Sequence, residues 1–500
     1  MGLYFLALWV HNSIYRLPFP FPIEYLEDAI FFHALRISEG LPLYVAPDAG
    51  FVPIIYTPGY FYLLAGLFKI FGPSIILPRF VNLFCTLGII VLLSKVTFRR
   101  LKFPLAIVPL CVFLSFLYAH FAGYQDLGRV DPFMVLMVLL GLCIIGDAES
   151  GLGRIITGVT LLTLACYIKQ PAVAYLPFVY IFLFIRNRKA APIACAASIS
   201  ILAAIFLLTN AATGNHFAFY TLRLPMAHPI RWENILVILR GGLLHYEFRG
   251  ILYLLVTLGI FISFRLLTLR MERVNIFEAT LPGAALATII PFMKEGGYFQ
   301  DLIPLYTHIC FLLPFALSIP FSIKGEQRSS LSTRLHPATP VILLGLLLHC
   351  AFSVSPWDEF TPKAGNVRLG YQYVNEIKNI QGDVFMPSLG YYAWLAGKPP
   401  GYVGVALTDL LFIGIRPEPL INDVRSGKYS VICLPEYFPV QSYWPYDLAD
   451  YGYVGPNKII PGLKFQHDLN INIEMPPNNV YAWAIHVPKH SFDSPTAGYK

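Results

Sequence analysis

The sequence predicts a polytopic α-helical membrane protein with a C-terminal extracytoplasmic α/β domain, and three observations predict it. Of 500 residues, 56% are hydrophobic and 13% charged, against about a quarter charged in soluble globular chains, and the mean hydropathy is +0.61. Apolar runs alternate with short Lys- and Arg-bearing loops as far as Val354. From about Ser355 the hydropathy falls and turn residues appear. The expected division is a transmembrane part over residues 1–354 and a mixed α/β domain over residues 355–500, the latter large enough for its own core.

The formal net charge of +7 fits cationic cytoplasmic loops rather than a nucleic-acid surface, because no basic cluster with interleaved aromatics occurs. Cys85, Cys111, Cys143, Cys166, Cys195, Cys310 and Cys350 lie in apolar runs, where a small buried side chain is their ordinary role. Cys433 stands alone in the polar part, so no disulfide is expected within it, and no CxxC or His/Cys spacing suggests a zinc site.

In chain order, residues 3–14 are apolar but shorter than the roughly 20 residues that a span needs. Without a charged n-region or a small-residue cleavage site they read as a retained, tilted anchor. Residues 18–44, PFPFPIEYLEDAIFFHALRISEGLPLY, follow at a membrane face and hold Glu24, Glu27 and Asp28 among aromatic and aliphatic residues. Carboxylates beside lipid lose hydration unless a cation, metal or polar substrate is near, so the cluster points to a site; a solvated loop cap is the plainer alternative. Residues 51–71, FVPIIYTPGYFYLLAGLFKIF, carry two prolines and Lys69. They read as interfacial, completing one long first loop.

The positive-inside rule then fixes orientation. Spans at 81–94, 105–120, 132–146, 155–167, 172–185, 192–208, 251–264, 277–293, 302–321 and 341–354 put every basic cluster on one side. Those clusters are Lys95–Lys102, Arg186–Lys189, Arg265–Arg273 and Lys324–Arg334. About eleven spans result, with the N-terminus inside and the C-terminal part outside. Residues 18–44, Asp126, Asp131, Lys169, the polar loop 210–250 and Lys294 then share the outer face. In the C-terminal part, 370–380 has helical spacing, while the stretches around Val384 and Val431 and at 480–488 read as buried strands.

Four stretches can carry chemistry: the acidic loop, GYQDLGRVDPF at 123–133, YIKQPAVAYLP at 167–177 and FMKEGGYFQDLIPLY at 292–306. Asp131 precedes Pro132 at the first turn of a span, where a helix N-terminus favours an anion, so a simple N-cap is one reading and a site acid the other. Lys169 stands at the outer end of a span before Pro171; snorkelling explains such a lysine, and so does binding an anionic head group. Lys294 and Tyr298 flank Gly296-Gly297 at the same face, either as loop residues or as part of a site.

The ordered set IEYLEDAIFFHALRISEGLPLY, YTPGYFYLLAGLFKIFGPSIILPR, GRVDPF, IKQPAVAYLP and GGYFQDLIPLY resembles the GT-C glycosyltransferases. Within these it resembles the aminoarabinose-transferase and protein-mannosyltransferase-like group over about residues 18–320. The resemblance implies an integral, multi-pass enzyme of the inner or plasma membrane. Such an enzyme takes a sugar from a polyprenyl-phosphate donor to a lipid, glycan or protein acceptor in the cell envelope. It also implies one catalytic carboxylate in the first outer loop and another before the fourth span, which Glu24 and Asp131 match. Glu27 and Asp28 lie close enough to Glu24 that spacing does not choose among them. Where the aminoarabinose transferases have Lys-Pro, this chain has Thr57-Pro58, so that phosphate contact does not carry over.

A lipid phosphate leaves readily, so cations near it are expected to suffice, with Lys169, Arg129 and Lys294 as candidates and Tyr298 beside them. Glu24 would take the acceptor proton, Asp131 would support the sugar, and direct displacement would invert the anomeric carbon. A divalent metal is left open, since no ligand spacing calls for one. Two other classes compete. A secondary transporter or lipid flippase would carry charges near the midplane and matching halves, and a non-catalytic polymer-assembly subunit would leave the acids apart.

Overall fold

The computed structural model describes residues 1–119, 123–146, 151–236, 257–259, 274–318, 339–354, 357, 360–388, 390–435, 453–461 and 482–488. Helices dominate. The N-terminal half contains α1 (Gly2–Arg16), α2 (Tyr25–Ser38), α3 (Gly59–Phe71), α4 (Ile76–Phe98), α5 (Val108–Ala119), α6 (Asp131–Gly146), α7 (Leu152–Ala165), α8 (Leu176–Arg186) and α9 (Ala190–Ala212). After them come α10 (Ile276–Phe292), α11 (Ile303–Leu317) and α12 (Thr339–Phe352).

Among the described residues, Ile76–Phe98, Ala190–Ala212 and Phe299–Leu317 are long and apolar enough to cross a membrane. Shorter apolar helices include Leu105–Tyr118, Asp131–Gly146, Leu152–Ala165, Gln170–Arg186, Ile276–Phe292 and Pro340–Phe352. The span expected at 251–264 falls almost wholly outside the described residues, as do Arg265, Arg270, Arg273, Lys324, Arg328 and Arg334.

Proline and short 3₁₀ turns break the helix ends where Lys169 and Asp301 stand. Lys169 is extended (φ −152°, ψ 131°) and caps the 3₁₀ turn Gln170–Tyr175, in which Pro171 is near the start. Proline lacks an N–H and cannot extend the preceding helix, so the chain turns at Lys169. Tyr298 is extended in the same way before the turn Phe299–Leu302. These two breaks set Lys169 and Asp301 off the helix axes.

The C-terminal part contains α13 (Ala364–Asn379), α14 (Gly390–Leu395), α15 (Gly404–Leu411), α16 (Glu418–Arg425) and strands β1 (Asp383–Phe385), β2 (Tyr429–Pro435), β3 (Tyr453–Pro461) and β4 (Ala482–Pro488). The sheet order is β1-β2-β4-β3. β1 and β2 are parallel, and β4 runs antiparallel to β2 and β3. A parallel pair needs a crossover connection, which α14, α15 and α16 supply.

One buried cation organises the first loop. Arg79, fully buried near the start of α4, places all five of its N–H donors. Nε and Nη2 each reach one oxygen of Glu27 at 2.8 Å. Nη1 donates to Arg16 O (3.0 Å) and Phe19 O (2.6 Å), and Nη2 to Phe21 O (2.6 Å). Glu27 also accepts from Gly128 N (2.9 Å) and Ile23 N (2.8 Å). Burial pushes the Glu27 carboxyl up, but Arg79 and these two amides outweigh it and hold the group below the usual carboxylate range. Arg79→Met would leave Glu27 as an uncompensated buried charge, costing about 3–5 kcal/mol. Thermal unfolding of the solubilised protein should show a clearly lowered midpoint, and an unchanged midpoint would rule out this role.

Candidate active site

The first turn of α2 directs its three carboxylates to three different partners. Glu24 is extended and precedes the helix (φ −148°, ψ 147°), which turns its side chain away from Glu27 and Asp28. Its Oε1 meets Arg129 Nη2 at 2.7 Å, both side chains being 2% exposed. Its Oε2 has no hydrogen-bond partner among the described residues. Burial pushes the Glu24 carboxyl up to about 7 although Arg129 opposes it. Glu27 is taken by Arg79, as above. Asp28 accepts from the amides of Gly390 (3.0 Å) and Tyr391 (2.6 Å), and burial pushes it up to about 7 despite them.

Arg129 and Asp131 come from the loop entering α6. Asn82 shapes this loop by donating its amide to the carbonyls of Leu127 and Arg129. Arg16 anchors it further upstream at Asp126, 3.0 Å away, and Tyr118 Oη donates to the same carboxylate at 2.8 Å. The guanidinium of Arg129 lies over the Tyr124 ring, 4.5 Å from its centroid. Nε and Nη1 of Arg129 have no partner among the described residues.

Asp131 Oδ1 meets Lys169 Nζ at 2.7 Å, so this acid binds a lysine. The same ammonium meets Asp301 Oδ1 at 2.8 Å. Burial would lower the Lys169 pKa, but the two aspartates outweigh it and hold the group above its ordinary value. Asp301 is fixed in turn by Tyr298 N, which donates to its Oδ2 at 3.1 Å. Asp131 Oδ2 has no partner among the described residues.

The first loop closes over this pair. Gln170 Nε2 donates to Ile55 O (2.6 Å), Thr57 Oγ1 to Cys166 O (3.1 Å) and Gly59 N to Tyr167 O (2.7 Å). A Cβ at Gly59 would stand 2.7 Å from Tyr167 O, so the strap requires glycine there. Tyr56 is thereby held with its ring centroid 5.3 Å from Lys169 Nζ. Its phenol, pushed up to about 12 by burial against the pull of Lys169 and Arg129, also feels Asp131 and Asp301. One side chain thus lies within electrostatic reach of four charged residues from three segments of the chain. Tyr25 feels Glu24, Arg129, Tyr56 and Tyr298, which links the two halves of the cluster.

Glu24, Arg129, Asp131 and Lys169 are therefore brought together, with Tyr298 beside Tyr124 at 6.0 Å between ring centroids. Lys294 donates instead to Pro225 O, and its strand-like pairing with Ile230 holds the adjoining loop. Sequence reasoning missed Asp301 and Tyr56. Asp301 stands before Pro304 in FQDLIP much as Asp131 stands before Pro132, an acid near the start of a helix, and that signal could have found it. Lys169→Met should leave Asp131 and Asp301 facing each other without a cation. The expected cost is about 3–5 kcal/mol, and adding Asp301→Asn should recover part of it in a thermal-unfolding double-mutant cycle.

No family model and no curated protein matches the chain. Two solved structures do, both of ArnT from Cupriavidus metallidurans. The one bound to undecaprenyl phosphate has a TM-score of 0.56 at 12% identity, covering 97% of each chain. The apo form has the same TM-score and identity, covering 86% of this chain and 92% of the other. The chain therefore shares the fold of ArnT along nearly its whole length.

Proposed function

We propose that this chain is a membrane glycosyltransferase that moves a sugar from a polyprenyl-phosphate donor to an acceptor hydroxyl at the extracytoplasmic face, with inversion. One observation carries the reading. Glu24 Oε2, Asp131 Oδ2 and Arg129 Nε and Nη1 are buried and have no hydrogen-bond partner among the described residues, within a cluster joined by two ion pairs to Arg129 and Lys169. Buried polar atoms without partners are costly unless a ligand supplies them. Two acids and two cations suit a sugar joined to an anionic leaving group. The shared fold with a protein whose structure holds undecaprenyl phosphate supports a lipid-linked donor.

In this reading Arg129 holds Glu24 Oε1, leaving Oε2 to accept the proton of the acceptor hydroxyl. The hydroxyl oxygen forms the new bond to the anomeric carbon as the bond to the phosphate oxygen breaks. The phosphate leaves with the electron pair towards the free N–H groups of Arg129 and the ammonium of Lys169. Asp131 Oδ2 faces the positive charge that develops on the sugar. Glu27 and Asp28 have all their oxygens engaged by other partners and act as braces. The acceptor is a lipid, glycan or protein hydroxyl, and the enzyme resides in the inner or plasma membrane with its C-terminal part outside.

Purified protein given a panel of polyprenyl-phosphate sugars should release the lipid phosphate with at least one of them. Glu24→Gln should lower that rate about 10²–10⁴-fold, and undiminished transfer by this variant would remove Glu24 from the role. A base works only when deprotonated, so the wild-type rate should fall as pH drops through about 7, where burial places the Glu24 carboxyl. A rate that stays flat from pH 8 to 5 would contradict the assignment.

A further inference from the structure

The turn that carries Glu24 is also where the C-terminal α/β part meets the helical part. Asp28 is 1% exposed. Its two oxygens accept from the amides of Gly390 and Tyr391, the first two residues of α14. Aromatic packing surrounds this contact. Phe21 stacks on Tyr392 with centroids 4.9 Å apart and planes 6° apart. Phe31 meets Tyr391 edge-on at 4.7 Å and Trp394 at 5.0 Å. A Cβ at Gly370 of α13 would stand 2.2 Å from a carbon of the Phe21 ring, so glycine lets that helix approach. A second buried contact joins the two parts where His228 Nε2 lies 3.1 Å from Asp409 Oδ1 of α15.

A carboxylate buried against two amides cannot leave them without becoming an unpaired buried group. Its place on α2 is therefore fixed from the C-terminal side, one helical turn after Glu24. Glu24 precedes this turn as its cap, and Glu27 N donates to the Glu24 carbonyl at 3.2 Å, so the backbone of Glu24 is tied to the turn that Asp28 fixes. We propose that Asp28 is a positioning residue that ties the α/β part to this turn. The docked α/β part thereby holds Glu24, and through it Arg129, in place at the site. The inference rests on the reading of Glu24 and Arg129 given under the proposed function.

The test uses the full chain in nanodiscs and two variants that leave Glu24, Arg129, Asp131 and Lys169 untouched. Tyr392→Ala removes the stacked ring from the far side of the contact, and Asp28→Asn keeps only one of the two acceptor oxygens. Amide hydrogen exchange across residues 24–31 should quicken about tenfold in each. Affinity for undecaprenyl phosphate should fall about threefold or more, because Arg129 loses its fixed partner. Unchanged exchange in both variants overturns the tie. Faster exchange with wild-type affinity overturns the positioning role, since a purely structural contact would loosen the turn and leave the ligand alone. Failure of the wild-type chain to bind undecaprenyl phosphate would count against the proposed function, and the exchange comparison would still decide the tie.

Discussion

The five hydrogen bonds of the Arg79 guanidinium are the constraint on which the rest of the buried charge cluster depends. A planar fork with five donors can join a carboxylate to several carbonyls at once, which an ammonium cannot do in the same geometry. Here it gathers the end of α1, the loop before α2 and the first turn of α2 onto the start of α4. Glu27 then passes the constraint on to Gly128, and so to the loop that carries Arg129 and Asp131. Glu24 and Asp131 are aligned by a residue that touches neither.

A division of labour follows among three neighbouring carboxylates. Glu27 is held low by a full set of donors, while Glu24 keeps one oxygen without a partner among the described residues and has its carboxyl pushed up to about 7 by burial. Similar chemical groups separated by three residues are thus shifted in opposite directions because their surroundings differ. Asp28 faces away, towards the α/β part. The same logic acts at Lys169, whose two aspartates outweigh the burial that lowers its pKa.

Much of this was legible in the sequence, and the limits have physical causes. The apolar runs and the strands around Val384 and Val431 followed from periodicity and hydropathy, both local properties. Asp131 before Pro132 was visible because helix starts have chemical signatures. The partners of Lys169 were not, since they lie 38 and 132 residues away along the chain. The choice among Glu24, Glu27 and Asp28 was equally closed to spacing. It depends on Arg79 and on amides 362 and 363 residues downstream. Arg79 itself passed unnoticed, because an arginine at the start of a span looks like an ordinary interfacial anchor.

The strap that covers Lys169 is fastened almost wholly to main-chain carbonyls: Ile55 O, Cys166 O and Tyr167 O each receive one donor. Three of the five bonds of Arg79 end on carbonyls as well. Every residue type offers that acceptor, so the identities at those positions are free to drift over evolutionary time while the scaffold stays put. Such anchoring reconciles 12% identity with a common architecture over 97% of the chain. Divergence in these loops is thus expected to change the side chains around the buried charges well before it disturbs the frame that holds them.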